Sequence, residues 1–474
     1  MIFSSYEFIY VFLPIVVITY FILSKLSNMK IQHIFLIISS LVFYSWFNIS
    51  YLWIIIFSII FNYIIVNIMN SCEGKKRIIF ILGVVINVLL LGYFKYYDFF
   101  IENLNYIFKT NFMFKNIILP LGISFFTFQQ ISFLLSCYKG EEKISGFIEY
   151  SLFVTFFPQL VAGPIVLYSE MMPQFKEKNK RYINWDNISK GLYIFSIGLF
   201  KKIVVADTLA LWANNGFDNI SNLGFAAAWI TTLSYTLQVY FDFSGYSDMA
   251  IGLAKMLNID LPVNFNSPYK SKNIGEFWRR WHITLGRALS QYIYIPLGGN
   301  RKGEIKTYRN LIITFFISGL WHGASWLFII WGTLHGIANV VYRIWKKTHI
   351  KVNDTISVFI TFIFVNFTWV LFRAENFRQA KKVINAMFNI KNINFIQIGE
   401  LLYDGMMNLP LILGLGIIIF TIVILLIIIF KSPNSIELTN NFKMDNKRIM
   451  ATAMMLYIST ICLSRVSVFI YFNF

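Results

Sequence analysis

Between Glu276 and Gly336 the chain carries three of its five histidines, His282, His322 and His335. His322 lies in GLWHGASW, in the middle of an apolar run. An ionisable side chain inside lipid is costly and marks a candidate functional site. A neutral imidazole there can take a proton from a hydroxyl as a general base; the alternative is a histidine that only bonds a neighbouring helix. Trp321 and Gly323 flank it, with Ser325 and Trp326 just beyond, and Gly323 leaves a small-residue gap through which a substrate could approach. His282 follows Arg279, Arg280 and Trp281 at the edge of an apolar run, a setting that suits orienting a thioester, holding a phosphate, or a satisfied interfacial histidine. For His335, beside Gly336, helix packing is the favoured role, and His33 and His349 sit at the ends of apolar runs as ordinary interface residues.

Two further clusters could carry chemistry. The turn LGGNRKG offers glycines, an amide and the cations Arg301 and Lys302, a pattern suited to an anion or equally to a lipid headgroup. The stretch QVYFDFSGYSD places Gln238, Asp242, Ser244, Ser247 and Asp248 at what reads as the end of a span. Two carboxylates there could bind a cation, but one as a helix cap and one as partner to Arg279 or Arg280 is the commoner outcome. No G-x-S-x-G elbow is present, and Cys72, Cys137 and Cys462 form neither a metal motif nor a disulfide framework, so no metal is expected.

These groups need a scaffold, and composition says which kind. Of 474 residues 57% are hydrophobic and 14% charged, against roughly 25% charged in soluble domains. The net charge of +18 comes from Lys and Arg in short loops between apolar runs, which fits membrane topology and anionic lipid better than nucleic acid. Apolar runs near 6–23, 31–46, 52–69 and 78–94 precede any chemistry. The loops at 25–30 and 73–77 are basic and the turn at 47–50 is uncharged, placing the N-terminus outside, with a retained first span. Further runs near 191–206, 225–241, 311–320 with 326–345, 358–372, 409–430 and 449–469 bring the expectation to roughly eleven spans.

Pro120, Gly122, Pro158, Gly163 and Pro164 interrupt two of the runs. In lipid such breaks survive only where the freed backbone groups are buried in protein or face a wet cavity; the two outcomes are ordinary kinked spans or the wall of an internal tunnel. The segments 242–309 and 373–408 read as inserts, the first as short helices and re-entrant pieces, and the second without an assigned role. No internal repeat stands out, which weakens a transporter or flippase built from inverted halves. The fold expected is an all-α integral membrane protein with short interfacial helices, a single multi-pass domain over 1–474 with N-terminal spans to 100, a motif-bearing core over 117–372 and an insert with C-terminal spans over 373–474.

The motifs FSSYEFIYVFLP, LPLGISFFTFQQISF, FFPQLVAGPIV, GLFKKIVVAD, VYFDFSGYSDMAIGLAKM, LPVNFNSPYKSKNIGEFWRRWHITL, YIYIPLGGNRKG and ISGLWHGASWLFIIWGTLHG occur in this order. The chain thereby resembles the membrane-bound O-acyltransferase family, in its alginate O-acetyltransferase-like branch. The resemblance implies a multi-pass enzyme of the bacterial cytoplasmic membrane, with a central funnel or tunnel, in which His322 serves acyl transfer to a hydroxyl and His282 is the second histidine. It also implies a cytosolic thioester donor, acetyl-CoA or an acyl carrier, as cosubstrate; our own reading of the basic and aromatic residues puts Trp281, Arg279, Arg280, Arg301 and Lys302 on the donor side. Trp321, Ser325, Trp326, Asp242, Ser244 and Gln238 would line the substrate path. The acceptor would be an exopolysaccharide or cell-wall glycan, or an extracytoplasmic partner acetyltransferase. A related branch moves D-alanine from a carrier protein toward teichoic acid. Ser136, Leu167, Ser290 and Gln291 depart from the branch's usual charged residues at those positions.

Overall fold

A computed structural model describes residues 1–474 except 27, 47, 222, 392–410, 464–469 and 471–474. Among the described residues the regular structure is helical throughout, with no strand. They divide into two compact units, one built on Met1–Ser196, Tyr246–Pro262 and Lys443–Ala453, the other on Ile197–Gly245, Val263–Phe442 and the described residues from Met454.

The first unit opens with a π-helical turn, Phe8–Phe12, leading into α1 (Leu13–Leu23), then α2 (Met29–Ser45), α3 (Ser50–Ser71) and α4 (Lys76–Leu91), which runs through a π-turn into α5 (Tyr97–Phe108). Each of α3 and the continuous helical stretch Lys76–Phe108 holds an apolar run long enough to cross a bilayer. Side chains such as Trp53, Phe57 and Leu89 point outward from them, the orientation lipid-facing residues take.

The proline-broken region forms α6 (Ile123–Lys139), α7 (Phe147–Thr155), the one-turn α8 (Phe157–Leu160) and α9 (Tyr168–Lys176). Gly122 stands at φ 69°, and a Cβ on it would lie 3.0 Å from the carbonyl oxygen of Leu160, so this entry to α6 requires glycine. At the joint between α7 and α8, Pro158 opens a new turn and the amide of Phe157 donates to Ser40 Oγ at 3.1 Å. The carbonyl of Phe153, released from its helical partner, accepts from Gln129 Nε2 at 2.9 Å and from Gln159 Nε2 at 2.7 Å. The backbone groups freed here are satisfied by buried side chains, so this break is a packed joint.

The unit also holds the first part of α10 (Trp185–Phe200). In the second unit a π-turn, Lys201–Ala206, follows α10 and passes into α11 (Asp207–Asp218). The helix α12 (Phe225–Met256) contributes residues to both units. It extends well past the expected end at 241, because the polar run FDFSGYSD continues as helix with its side chains buried. The segment after it forms the short helices α13 (Ile274–Arg280) and α14 (Ile283–Leu289), as the sequence led us to expect.

Three long helices complete the frame of the site: α15 (Glu304–His322), α16 (Trp326–Lys347) and α17 (Asp354–Arg373). The hairpin of α15 and α16 is packed backbone to backbone. A Cβ on Gly332 would run into the carbonyl oxygen of Phe315 and come within 2.9 Å of Gly319 Cα, so small residues permit the approach. The chain continues through α18 (Phe377–Phe388), α19 (Leu411–Lys431), α20 (Ser435–Asn440) and α21 (Asn446–Cys462). Part of the 373–408 insert and the end of the last expected span lie outside the described residues.

Among the described residues, five helical stretches are long and apolar enough to cross a membrane, namely Ser50–Ser71, Lys76–Phe108, Trp326–Lys347, Asp354–Arg373 and Leu413–Lys431, with Phe8–Leu23 and Met29–Ser45 shorter but apolar. Several other expected runs are interrupted by proline, π-turns or buried polar residues, and so fall short in length or in hydropathy.

Candidate active site

His322 is the last residue of α15, and the turn to α16 is fixed by Ser325, whose Oγ caps the Leu327 amide at 3.3 Å. The imidazole is buried in a box of aromatic edges. Ring centroids of Trp321, Trp331 and Phe372 lie 5.1, 5.0 and 5.4 Å away, all near perpendicular. The space beside Gly323 is filled by the Phe328 ring, against which a Cβ on Gly323 would collide. The small-residue gap expected there is therefore closed, and Ser325 serves as a helix cap. Trp326 is half exposed and points away from the core.

One indole touches both candidate histidines. Trp321 stands 6.0 Å from the His282 ring and 5.1 Å from that of His322. His282 is completely buried, contrary to the interfacial position its neighbours Arg279 and Arg280 suggest. The reason is the sharp turn between α13 and α14, in which His282 adopts φ 45° and ψ 53° and drops inward. A left-handed backbone at a residue other than glycine is sparsely populated and is often found at functional sites.

The proton on His282 can be located. Asn264 Oδ1 accepts from Thr284 Oγ1 at 3.0 Å and from the Thr284 amide at 3.3 Å, and lies 3.1 Å from His282 Nδ1. An oxygen acceptor there requires Nδ1 to carry the hydrogen, which makes Nε2 the basic nitrogen. That ring is also held edge-on by Phe243 at 4.8 Å.

His335 differs. Trp278 Nε1 donates to its Nδ1 at 3.2 Å, and its Nε2 meets Thr368 Oγ1 at 3.1 Å. Both ring nitrogens are used in tying α13, α16 and α17 together, so His335 is a packing residue, as its position suggests. Trp331 and Trp369 stack at 5.6 Å beneath the site, and Trp281 packs on Trp369 at 5.1 Å and Phe277 at 5.6 Å. Trp281 and Trp331 are fully buried, and their Nε1 atoms have no hydrogen-bond partner among the described residues.

Asp242 is placed otherwise than expected. Asp242 lies inside α12 and takes Lys202, not Arg279 or Arg280, as its partner. Lys202 Nζ stands 2.9 Å from Asp242 Oδ1 and 2.7 Å from Asp207 Oδ1, and all three side chains are buried. Lys202 sits on the π-turn that follows α10, a local widening common at functional sites. This pairing anchors α12 next to Phe243 and hence next to His282. Gln238 and Ser244 are buried on the same helix, and Gln238 Oε1 and Ser244 Oγ have no hydrogen-bond partner among the described residues.

The expected donor-side cations divide. Arg280 is held by Glu276 at 2.9 Å, and Arg301 and Lys302 are exposed on the glycine turn. Arg279, with Asn300 and Gly303 of that turn, lines a cavity of about 610 Å³. Its other basic residues, Arg343, Lys346 and Lys347, come from the end of α16. The run RIWKK is visible in the sequence, but only the return of α16 alongside α15 brings it to Arg279.

The model of the MBOAT, membrane-bound O-acyltransferase family matches residues 103–378. The chain is 44% identical to a peptidoglycan O-acetyltransferase of Helicobacter pylori, over 100% of this chain and 98% of that protein. It is 40% identical to a probable alginate O-acetylase of Pseudomonas aeruginosa, over 85% of this chain and 79% of that one. A teichoic acid D-alanyltransferase of Bacillus subtilis is 26% identical over 56% of this chain and 71% of its own length.

Proposed function

Because the chain belongs to the membrane-bound O-acyltransferase family and is thus a membrane O-acyltransferase, we propose that it moves an acetyl group from a cytosolic thioester to a glycan hydroxyl outside. The acceptor is a cell-wall glycan or an exopolysaccharide, reached directly or through an extracytoplasmic partner acetyltransferase. The single observation that carries this reading is the pair of buried histidines, His282 and His322, that both contact the Trp321 ring.

In this mechanism the acceptor hydroxyl gives its proton to His322 as its oxygen attacks the thioester carbonyl carbon. The C–O bond forms, the C–S bond breaks, and the proton passes from the imidazolium to the departing thiolate. Charge that develops on the carbonyl oxygen is met by an indole N–H of Trp321 or Trp331 in a site from which water is excluded. His282, with its proton fixed on Nδ1, lines the thioester's path on the donor side. The donor is acetyl-CoA or an acyl carrier. Both carry phosphate, which suits the basic cavity of Arg279 and Arg343. Donor and acceptor meet in a tunnel within a bundle of about eleven spans, in a bacterial cytoplasmic membrane with the N-terminus outside.

The full-length similarity to an O-acetyltransferase favours acetyl over the D-alanyl group that the shorter, 26% match would suggest. The test is to reconstitute the chain in vesicles, supply labelled acetyl thioester inside, and assay ester formation on glycan outside, with D-alanyl thioester in parallel. Acetate esters are expected. Esters of D-alanine alone would replace the acetyl reading, and glycan movement without a new ester would contradict acyl transfer.

A further inference from the structure

A second cavity, of about 940 Å³, lies along the outer flank of α16 where that helix and α17 face one another, on the side of α16 next to the basic cavity. Its wall is apolar over most of its length, formed by Leu334, Ile337, Val341, Ile360 and Phe364 among others. Ile337, Val341 and Ile360 are exposed, so the groove opens outward from a pair of helices that are each long and apolar enough to span a membrane. One end carries Lys272, Lys346, His349 and Lys351, and among the described residues no carboxylate lines the groove. Lys272 is held 2.5 Å from Asp354, which leaves Lys346 and Lys351 as the cations to face a ligand at that rim. Trp345 and Tyr342 lie between the apolar wall and the basic rim, where amphipathic rings sit at a headgroup boundary.

We propose that this groove is a binding site for one anionic phospholipid, with its acyl chain along Val341 and Ile360 and its phosphate against Lys346 and Lys351. Each part of the ligand follows from one part of the wall. A soluble peptide or nucleotide would leave the apolar length unused, and a neutral lipid would leave the lysine rim without a partner. Lysines just beyond the end of a spanning helix attract the negatively charged lipids of the cytoplasmic leaflet. The occupied groove would brace α16 against α17, whose far ends supply Trp331, Trp369 and Phe372 around His322.

The full chain is placed in bilayer discs of phosphatidylcholine with an equal part of phosphatidylglycerol, and released lipid is counted by native mass spectrometry. Wild-type protein is expected to retain phosphatidylglycerol in preference to phosphatidylcholine. Lys351→Glu should weaken that preference by about fivefold or more, the loss expected for one cation at a membrane surface. Val341→Trp, which fills the groove from an exposed position, should retain about one lipid fewer, with its elution as a single folded species serving as the control for folding. Equal retention of the two lipids by wild-type protein, or an unchanged preference in Lys351→Glu together with an unchanged count in folded Val341→Trp, would overturn the proposal.

Discussion

The two histidines at the centre of the site are held by different means. His322 is fixed by packing, enclosed by Trp321, Trp331 and Phe372. His282 is fixed by a hydrogen bond, because Asn264 Oδ1 sets both its tautomer and its ring plane. Replacing Asn264 by alanine removes an acceptor from three buried donors and should cost about 1–3 kcal/mol of stability. If the tautomer matters to chemistry, the same variant lowers turnover with little change in KM for the donor, measured on the folded fraction. Unchanged turnover would reduce His282 to a packing role. At this scale the sequence was informative about identity and uninformative about environment. His322 could be singled out because a histidine in an apolar run is rare and costly. The burial of His282 could not, since the left-handed turn that drops it inward is a property of residues 281–283 in context and leaves no compositional mark.

Among the elements, the hairpin of α15 and α16 decides where His322 stands. Gly319 and Gly332 let the two backbones touch, and that contact puts Trp331 against the histidine. Gly332→Leu must push the helices apart, because the atoms it meets are backbone and cannot swing away. A loss of about 1–3 kcal/mol is expected, read as a lower unfolding midpoint in detergent, together with reduced turnover of the protein that remains folded. Full stability would contradict the packing described. Both helices were legible from hydropathy, and their glycines were visible. What could not be read was the pairing of distant polar groups. The aspartate of VYFDF was expected at a span end, yet α12 continues through it, and its partner Lys202 lies forty residues earlier on a π-turn. The same holds for the basic cavity, whose cations come from α13 and α16. Proline breaks were readable as breaks, but whether freed groups face water or protein depends on partners such as Ser40 and Gln129 that only the fold supplies.

For the whole molecule, the class was legible from composition, because 14% charged residues and long apolar runs leave little choice but a membrane. Orientation rests on loop charge, and a native thiol tests it. Cys72 is exposed beside the basic loop at 73–77, whereas Cys137 is buried. With the N-terminus outside, Cys72 faces the cytosol. In intact cells carrying a Cys462→Ala variant, which removes the partly exposed third thiol, Cys72 should react with a membrane-permeant maleimide and resist an impermeant one; labelling by the impermeant reagent would invert the topology.

The claim on which the rest depends is that His322 carries the proton in acyl transfer. The most direct measurement compares wild-type and His322→Ala protein, purified and reconstituted side by side, for donor binding and for labelled ester formed per folded molecule. Donor binding should be retained while turnover falls by about 10²–10⁴-fold, the range a positioned general base contributes. Ester formation by His322→Ala at the wild-type rate would contradict the account.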